Sequence, residues 1–142
     1  MKKTLLALLL TVFTFSSAWA QSEDPIITDR PDFTESPISV NPGTVQIELG
    51  ATAFDSDSGS LWNAGETLVR YGLFNKVEMR VQLPSAVGGK DLDTGFSDSG
   101  IGVKIELGSF AQRVEMALIA STSLPTGADD FTSDAVDPGL IL

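Results

Sequence analysis

Beyond residue 43 the chain is written in steps of two. Val45, Ile47, Leu49, Ala51 and Ala53 alternate with Thr44, Gln46, Glu48, Gly50 and Thr52. Successive side chains of a strand point to opposite faces, whereas a helix repeats every 3.6 residues, so this pattern predicts a strand. The same alternation runs through 67–73, 77–83, 101–107 and 114–124, and Leu140 to Leu142 reads as a sixth strand beginning. Over the five full strands one face has 23 positions and no charge. The other has 19 positions and seven charges: Glu48, Arg70, Glu78, Arg80, Lys104, Glu106 and Glu115. The chain is therefore expected to be all-β and antiparallel. A sandwich would turn the uncharged face into a core. A membrane barrel would turn it to lipid, where a Lys or Arg at mid-depth costs about 2–4 kcal/mol. Alternation by itself fits both folds.

The connections between strands discriminate better. Residues 55–66, 84–100 and 125–139 read as long polar loops, and Phe74-Asn75-Lys76 and Ser109 to Gln112 as tight turns. Short turns on one rim and long loops on the other are the habit of outer-membrane barrels. The expected fold is an antiparallel up-and-down transmembrane β-barrel, of which about six strands are present. The first turn should place Leu73 opposite Val77, Tyr71 opposite Met79 and Arg70 opposite Arg80. The second should place Leu107 opposite Val114 and Glu106 opposite Glu115. Tyr71, Phe74 and Phe110 fall near one rim and Phe54 near the other, the levels at which barrels carry aromatic girdles.

The N-terminus supports export. Lys2 and Lys3 precede an apolar run from Leu5 to Phe15, and Ala18-Trp19-Ala20 offers small residues before a cleavage point at Gln21. These are the three parts of a secretory signal over residues 1–20. The run falls short of the roughly 20 apolar residues of a spanning helix, and no later stretch reaches that length. Removal of the signal would leave seven basic and nineteen acidic side chains, a net charge of −12. Such a polyanion is not drawn to nucleic acid by charge. With no Cys and no His, disulfide frameworks, thiol nucleophiles, Ser-His-Asp triads and HExxH zinc sites are excluded. An enzyme is not expected, and neither is a cofactor.

Residues 21–42 form an extended leader, punctuated by Pro25, Pro31, Pro37 and Pro42. Its charges Asp29, Arg30, Asp32 and Glu35 suggest a segment tucked into the barrel mouth, with Arg30 pairing to carboxylates of the wall. The alternative is a disordered periplasmic leader. Residues 43–142 supply the strands. On their polar face, Glu48, Arg70, Glu78, Arg80, Lys104 and Glu106 are the candidate lumen residues. They would either form a charged constriction that selects solutes or an ion-pair network that fills a narrow lumen; the second reading is the preferred one. Asp55, Asp57 and Glu66 occupy the first, third and twelfth places of a calcium-type loop, a weak match because Gly59 and Ser60 hold the fifth and sixth. A solvated outer loop is the simpler reading of that stretch, as it is of Asp129, Asp130, Asp134 and Asp137.

Thr28 to Pro37 (TDRPDFTESP) followed by Pro42-Gly43 is distinctive. With Gln46 to Gly50, Leu68 to Leu73, Glu78-Met79-Arg80, Gly100 to Lys104 and Ser123 to Gly127 in this order, the chain resembles an outer-membrane transporter family linked to meta-pathway phenol degradation. The resemblance implies a bacterial outer-membrane barrel, inserted by the barrel-assembly machinery, bathed in outer-membrane lipid and passing small solutes, aromatic ones among them. It departs from the family by ending inside a strand, where six strands cannot close a barrel of at least eight; the expectation is an N-terminal portion. The competing function is an exported, non-transporting barrel or sandwich that binds ligands or surfaces through its long loops.

Overall fold

The computed structural model describes residues 25–29, 35–56, 59–90 and 92–142. The signal sequence, Arg30, Asp32 and Asp57 lie outside the described residues. Eight strands follow one another: β1 (Val45–Ser56), β2 (Gly59–Phe74), β3 (Val77–Leu83), β4 (Ala86–Gly89), β5 (Leu92–Phe96), β6 (Ser99–Phe110), β7 (Val114–Leu124) and β8 (Asp137–Ile141). They form one sheet of antiparallel pairs. β1 and β8 do not pair, so the sheet is open. Among the described residues no helix is long and apolar enough to cross a membrane.

The eight strands make six rows. β2 is long enough to pair with β3 through Thr67 to Phe74 and with β4 through Leu61 to Ala64. β3 and β4 are thus one row interrupted at Pro84 and Ser85, where proline has no N–H to donate. β5 and β6 are the next row, interrupted at Ser97 and Asp98. The two breaks face each other: the Ser97 N–H donates to the Ser85 carbonyl at 2.9 Å, and the Ser85 N–H to the Ser97 hydroxyl at 3.0 Å.

Two expected long loops are therefore corrected. Residues 55–66 are mostly strand, since β1 runs to Ser56 and β2 starts at Gly59. Residues 84–100 contain β4 and β5. Gly, Ser and Asp are poor strand formers, but a partner across a tight hairpin takes up their backbone groups. Only 125–136 remains an irregular connection. The sixth strand also starts earlier than expected, at Asp137.

Bulges settle the register. Gly50 lies opposite Glu66 and Ala51 opposite Ala64, which leaves Gly65 as an extra residue. Its φ of 74° is a left-handed conformation that glycine adopts without cost. Arg70 lies opposite Arg80 and Tyr71 opposite Met79, as expected, but an irregularity after Gly72 puts Phe74 opposite Val77 in place of Leu73. In β6 the shift falls between Glu106 and Gly108, so Phe110 lies opposite Val114 and Ser109 opposite Glu115. The change of parity expected from a four-residue turn is made inside the strand, and Glu106 and Glu115 are not cross-strand neighbours.

Burial is inverted relative to a water-soluble sheet. The uncharged face is bare: Ile47 is 62% and Leu49 72% exposed. The charged face is covered: Arg70 is 1% exposed, Glu78 and Lys104 0%. Among the described residues three apolar side chains are buried, Val40, Leu68 and Ile119, against eight polar or charged ones. The interior is ionic.

Candidate functional site

The side chains at the centre come from four strands and from the leader. Glu48 of β1, Arg70 of β2, Glu78 and Arg80 of β3, and Lys104 of β6 share the polar face because the pairing aligns even-numbered positions: Gln46 opposite Arg70, Arg70 opposite Arg80, Glu78 opposite Lys104. Two arginines directly opposite would repel. Glu78 removes the conflict. Its Oε1 and Oε2 accept from Arg70 Nε and Nη2, both at 2.9 Å, in the two-pronged geometry that suits guanidinium. The same carboxylate accepts from Arg80 Nη1 at 3.3 Å and lies 3.9 Å from Lys104 Nζ. Glu48 accepts from Arg70 Nη1 at 2.9 Å.

The leader completes the network. Asp29 is 3% exposed, and its Oδ2 receives Arg80 Nη1 at 2.6 Å and Lys104 Nζ, with Arg70 Nη1 at 3.4 Å. Its Oδ1 accepts the Ser36 N–H. Arg80 divides its guanidinium: Nη2 reaches Glu35 at 2.7 Å. The segment expected to dock through Arg30 is thus held, in its described part, by the opposite sign. Its carboxylates meet cations of the wall.

The backbone of the leader is stitched into the same face. Wall carboxylates accept its N–H groups: Glu48 from Asp29, Glu106 from Ser39 and Glu78 from Val40. Wall donors reach its carbonyls: Arg70 those of Ile27 and Ile38, Lys104 that of Ser36, and Gln46 that of Ile27. Where the leader turns toward β1 it crosses Gly72, and a β-carbon there would lie 2.1 Å from the Asn41 carbonyl oxygen. Only glycine admits this approach.

Burial by itself would raise the Asp29 carboxyl. Hydrogen bonds from Lys104 and from Glu35, with the charges of Lys104 and Arg70, outweigh burial and hold it down at about 2. Glu35 moves the other way: burial and the neighbouring Asp29 raise it, against the pull of Arg80.

Of the other sequence candidates, Glu106 stays on the polar face and the described calcium-type residues lie far apart. Glu106 is half-buried and bound to Ser39, whose hydroxyl also donates to it at 2.7 Å. Asp55 lies opposite Ser60 and Glu66 opposite Gly50, five rungs or about 17 Å along the ribbon. A hairpin replaces the calcium-type loop. Among the described residues no group of three or more acidic side chains is placed to hold a metal ion. Gln46 on the wall and Ser36 and Ser39 in the leader were not foreseen as members of the network. Gln46 carried a signal, since it shares the face of Glu48.

On the far side of the network, a cavity of about 240 Å³ opens between Glu35 and Arg80 and the strands beyond, lined by Leu68, Gly102, Ile119 and Ser121 among others. Asp98, itself part of that lining, pins the 125–136 connection: Oδ1 accepts the N–H groups of Thr126 and Gly127, and Oδ2 that of Ser133. The Gly127 N–H foremost keeps the Asp98 carboxyl below its usual range.

The family model described as "Putative MetA-pathway of phenol degradation" matches residues 28–142, from the leader just before Asp29 to the end of the chain. The chain belongs to this family. The match starts in the leader and not at the first strand, so the matched stretch of this chain contains both halves of the ionic network. No curated protein and no solved structure matched the chain.

Proposed function

We propose that this MetA-pathway family protein is a β-barrel of the bacterial outer membrane that passes small solutes by passive diffusion, with its leader docked in the lumen as a plug. One observation carries the reading: the strands bury the charges at the middle of their polar face and leave their apolar face uncovered. A contiguous apolar face built from Ile47, Leu49, Ile101, Val103, Ile105 and their neighbours exceeds what a monomer shows to water, whereas lipid takes it up at no cost. The buried polar face is then the lumen wall. Exposed aromatic residues stand at both ends of the rows, Phe74 and Phe110 beside the tight turns and Trp62 and Phe96 toward the far rim, where a membrane interface favours them. The family description supports aromatic compounds among the solutes. No catalytic step is required, and the partners are outer-membrane lipid, the barrel-assembly machinery and the solute.

The sealed network favours a closed resting state, so flux depends on displacement of the plug. The test is ion conductance of the full-length protein in planar bilayers, with and without Arg80→Gln. Discrete conductance steps whose ion selectivity shifts in the variant are expected. Absence of conductance in the wild type and in a variant lacking residues 21–40, both folded into the bilayer, would leave a non-transporting barrel.

A further inference from the structure

We propose that the cationic nest filled by Asp29 is a recognition site for small organic carboxylates, and that Asp29 is its built-in competitor. The proposal rests on the channel reading for its access route and goes beyond it in naming a solute class. The argument is one of charge and geometry. Arg70, Arg80 and Lys104 converge, and the buried wall carboxylates beside them are two, Glu48 and Glu78. Glu106, half-buried on the same face, accepts the Ser39 N–H and hydroxyl instead of a cation. At this point three buried cations therefore face two buried wall carboxylates; the third buried strand acid, Glu66, lies four residues along β2 from Arg70. A single carboxylate oxygen of Asp29 occupies that point, accepting hydrogen bonds from Arg80 and Lys104 and pairing with Arg70 at 3.4 Å. The wall is thus built to hold a monoanion, and in the resting state the monoanion is part of the chain.

A solute has a way in. The cavity of about 240 Å³ reaches Arg80 and Glu35 from the side opposite the tight turns. Leu68 and Ile119 are the two buried apolar side chains of the strands, and both belong to its lining. Gly100 and Gly102 contribute backbone to the lining, and Ser121 and Ser123 belong to it as well. A compact body with an apolar side fits there, with its carboxylate directed at Arg80 and Lys104. A tethered competitor acts at an effective concentration in the millimolar range. Weak solutes are thereby excluded, and entry of a carboxylate is coupled to release of the plug, since both cannot hold the nest at once.

Benzoate and benzamide, alike in shape and unlike in charge, are the probes. Calorimetric titration of the full-length protein in detergent should show benzoate binding Asp29→Ala about tenfold tighter than wild type, the gain expected when a site free one-tenth of the time becomes free throughout. Benzamide should show no such gain. Should Asp29→Ala not fold, wild type supplies the readout: benzoate, and not benzamide, should speed proteolysis within residues 25–44. Equal effects of the two probes in both measurements would overturn the proposal. Bilayer conductance separates it from the channel reading. Benzoate binding without conductance leaves the nest standing and removes the channel, and conductance indifferent to benzoate does the reverse.

Discussion

At Asp29 a single carboxylate balances three buried cations, and its pH response follows from that. The group is held at about 2 against an ordinary 3.8, so it stabilises docking above its free-chain value. That contribution, about 2 kcal/mol, is lost as pH falls from about 4 toward 2. The groups facing it are Lys104, Arg70, Arg80 and Glu35, with Glu48 and Glu78 behind them. Glu35, raised by burial, favours docking in its protonated form and weakens it as pH climbs through its shifted value. Protection of the amides of residues 35–40, relative to the free-chain exchange rate at each pH, should therefore persist at pH 5 and be lost between about pH 4 and 2; release on acidification already near pH 6 would contradict the assignment. Arg70 is the most heavily used cation, bound to two carboxylates and two carbonyls. Arg70→Met strands Glu48 and Glu78 and should cost about 3–5 kcal/mol in urea unfolding of the bilayer-folded protein. Arg70→Lys should rescue little, because an ammonium cannot span both oxygens of Glu78.

Among the elements, the leader and β2 meet at Gly72. Gly72→Ala puts a methyl group into the carbonyls of Asn41 and Val40, and the leader can yield where the sheet cannot. Proteolysis within residues 25–44 should accelerate while strand content by circular dichroism stays unchanged, at an expected cost of about 1–3 kcal/mol. Asp98 does for the 125–136 connection what the wall does for the leader. Asp98→Ala removes the carboxylate that accepts three N–H groups and should raise exchange at Thr126, Gly127 and Ser133 without altering the strands. Both elements are held largely by side chains, because neither has a ladder of its own.

For the molecule as a whole, the medium around the apolar face decides whether the fold stands. Val103→Arg, at the middle of β6 and opposite Met79 and Ala120, should reduce stability in vesicles by about 2–4 kcal/mol; no loss would contradict a lipid-facing position. The sequence by itself determined which side chains share a face, because alternation is a property of the extended backbone and needs no partner. It therefore placed Glu48, Arg70, Glu78, Arg80 and Lys104 together correctly, along with the Arg70–Arg80 pairing. Strand ends were not legible: the Gly, Ser and Asp stretches at 55–66 and 84–100 read as loops, and their pairing across hairpins is a contact between rows. The sign of the docking contact was also out of reach, since Asp29 and Arg30 are neighbours in the chain and only folding decides which carboxylate meets the cations. Local geometry fixed the faces; the excess charge that the assembled strands bury fixed what lies against them.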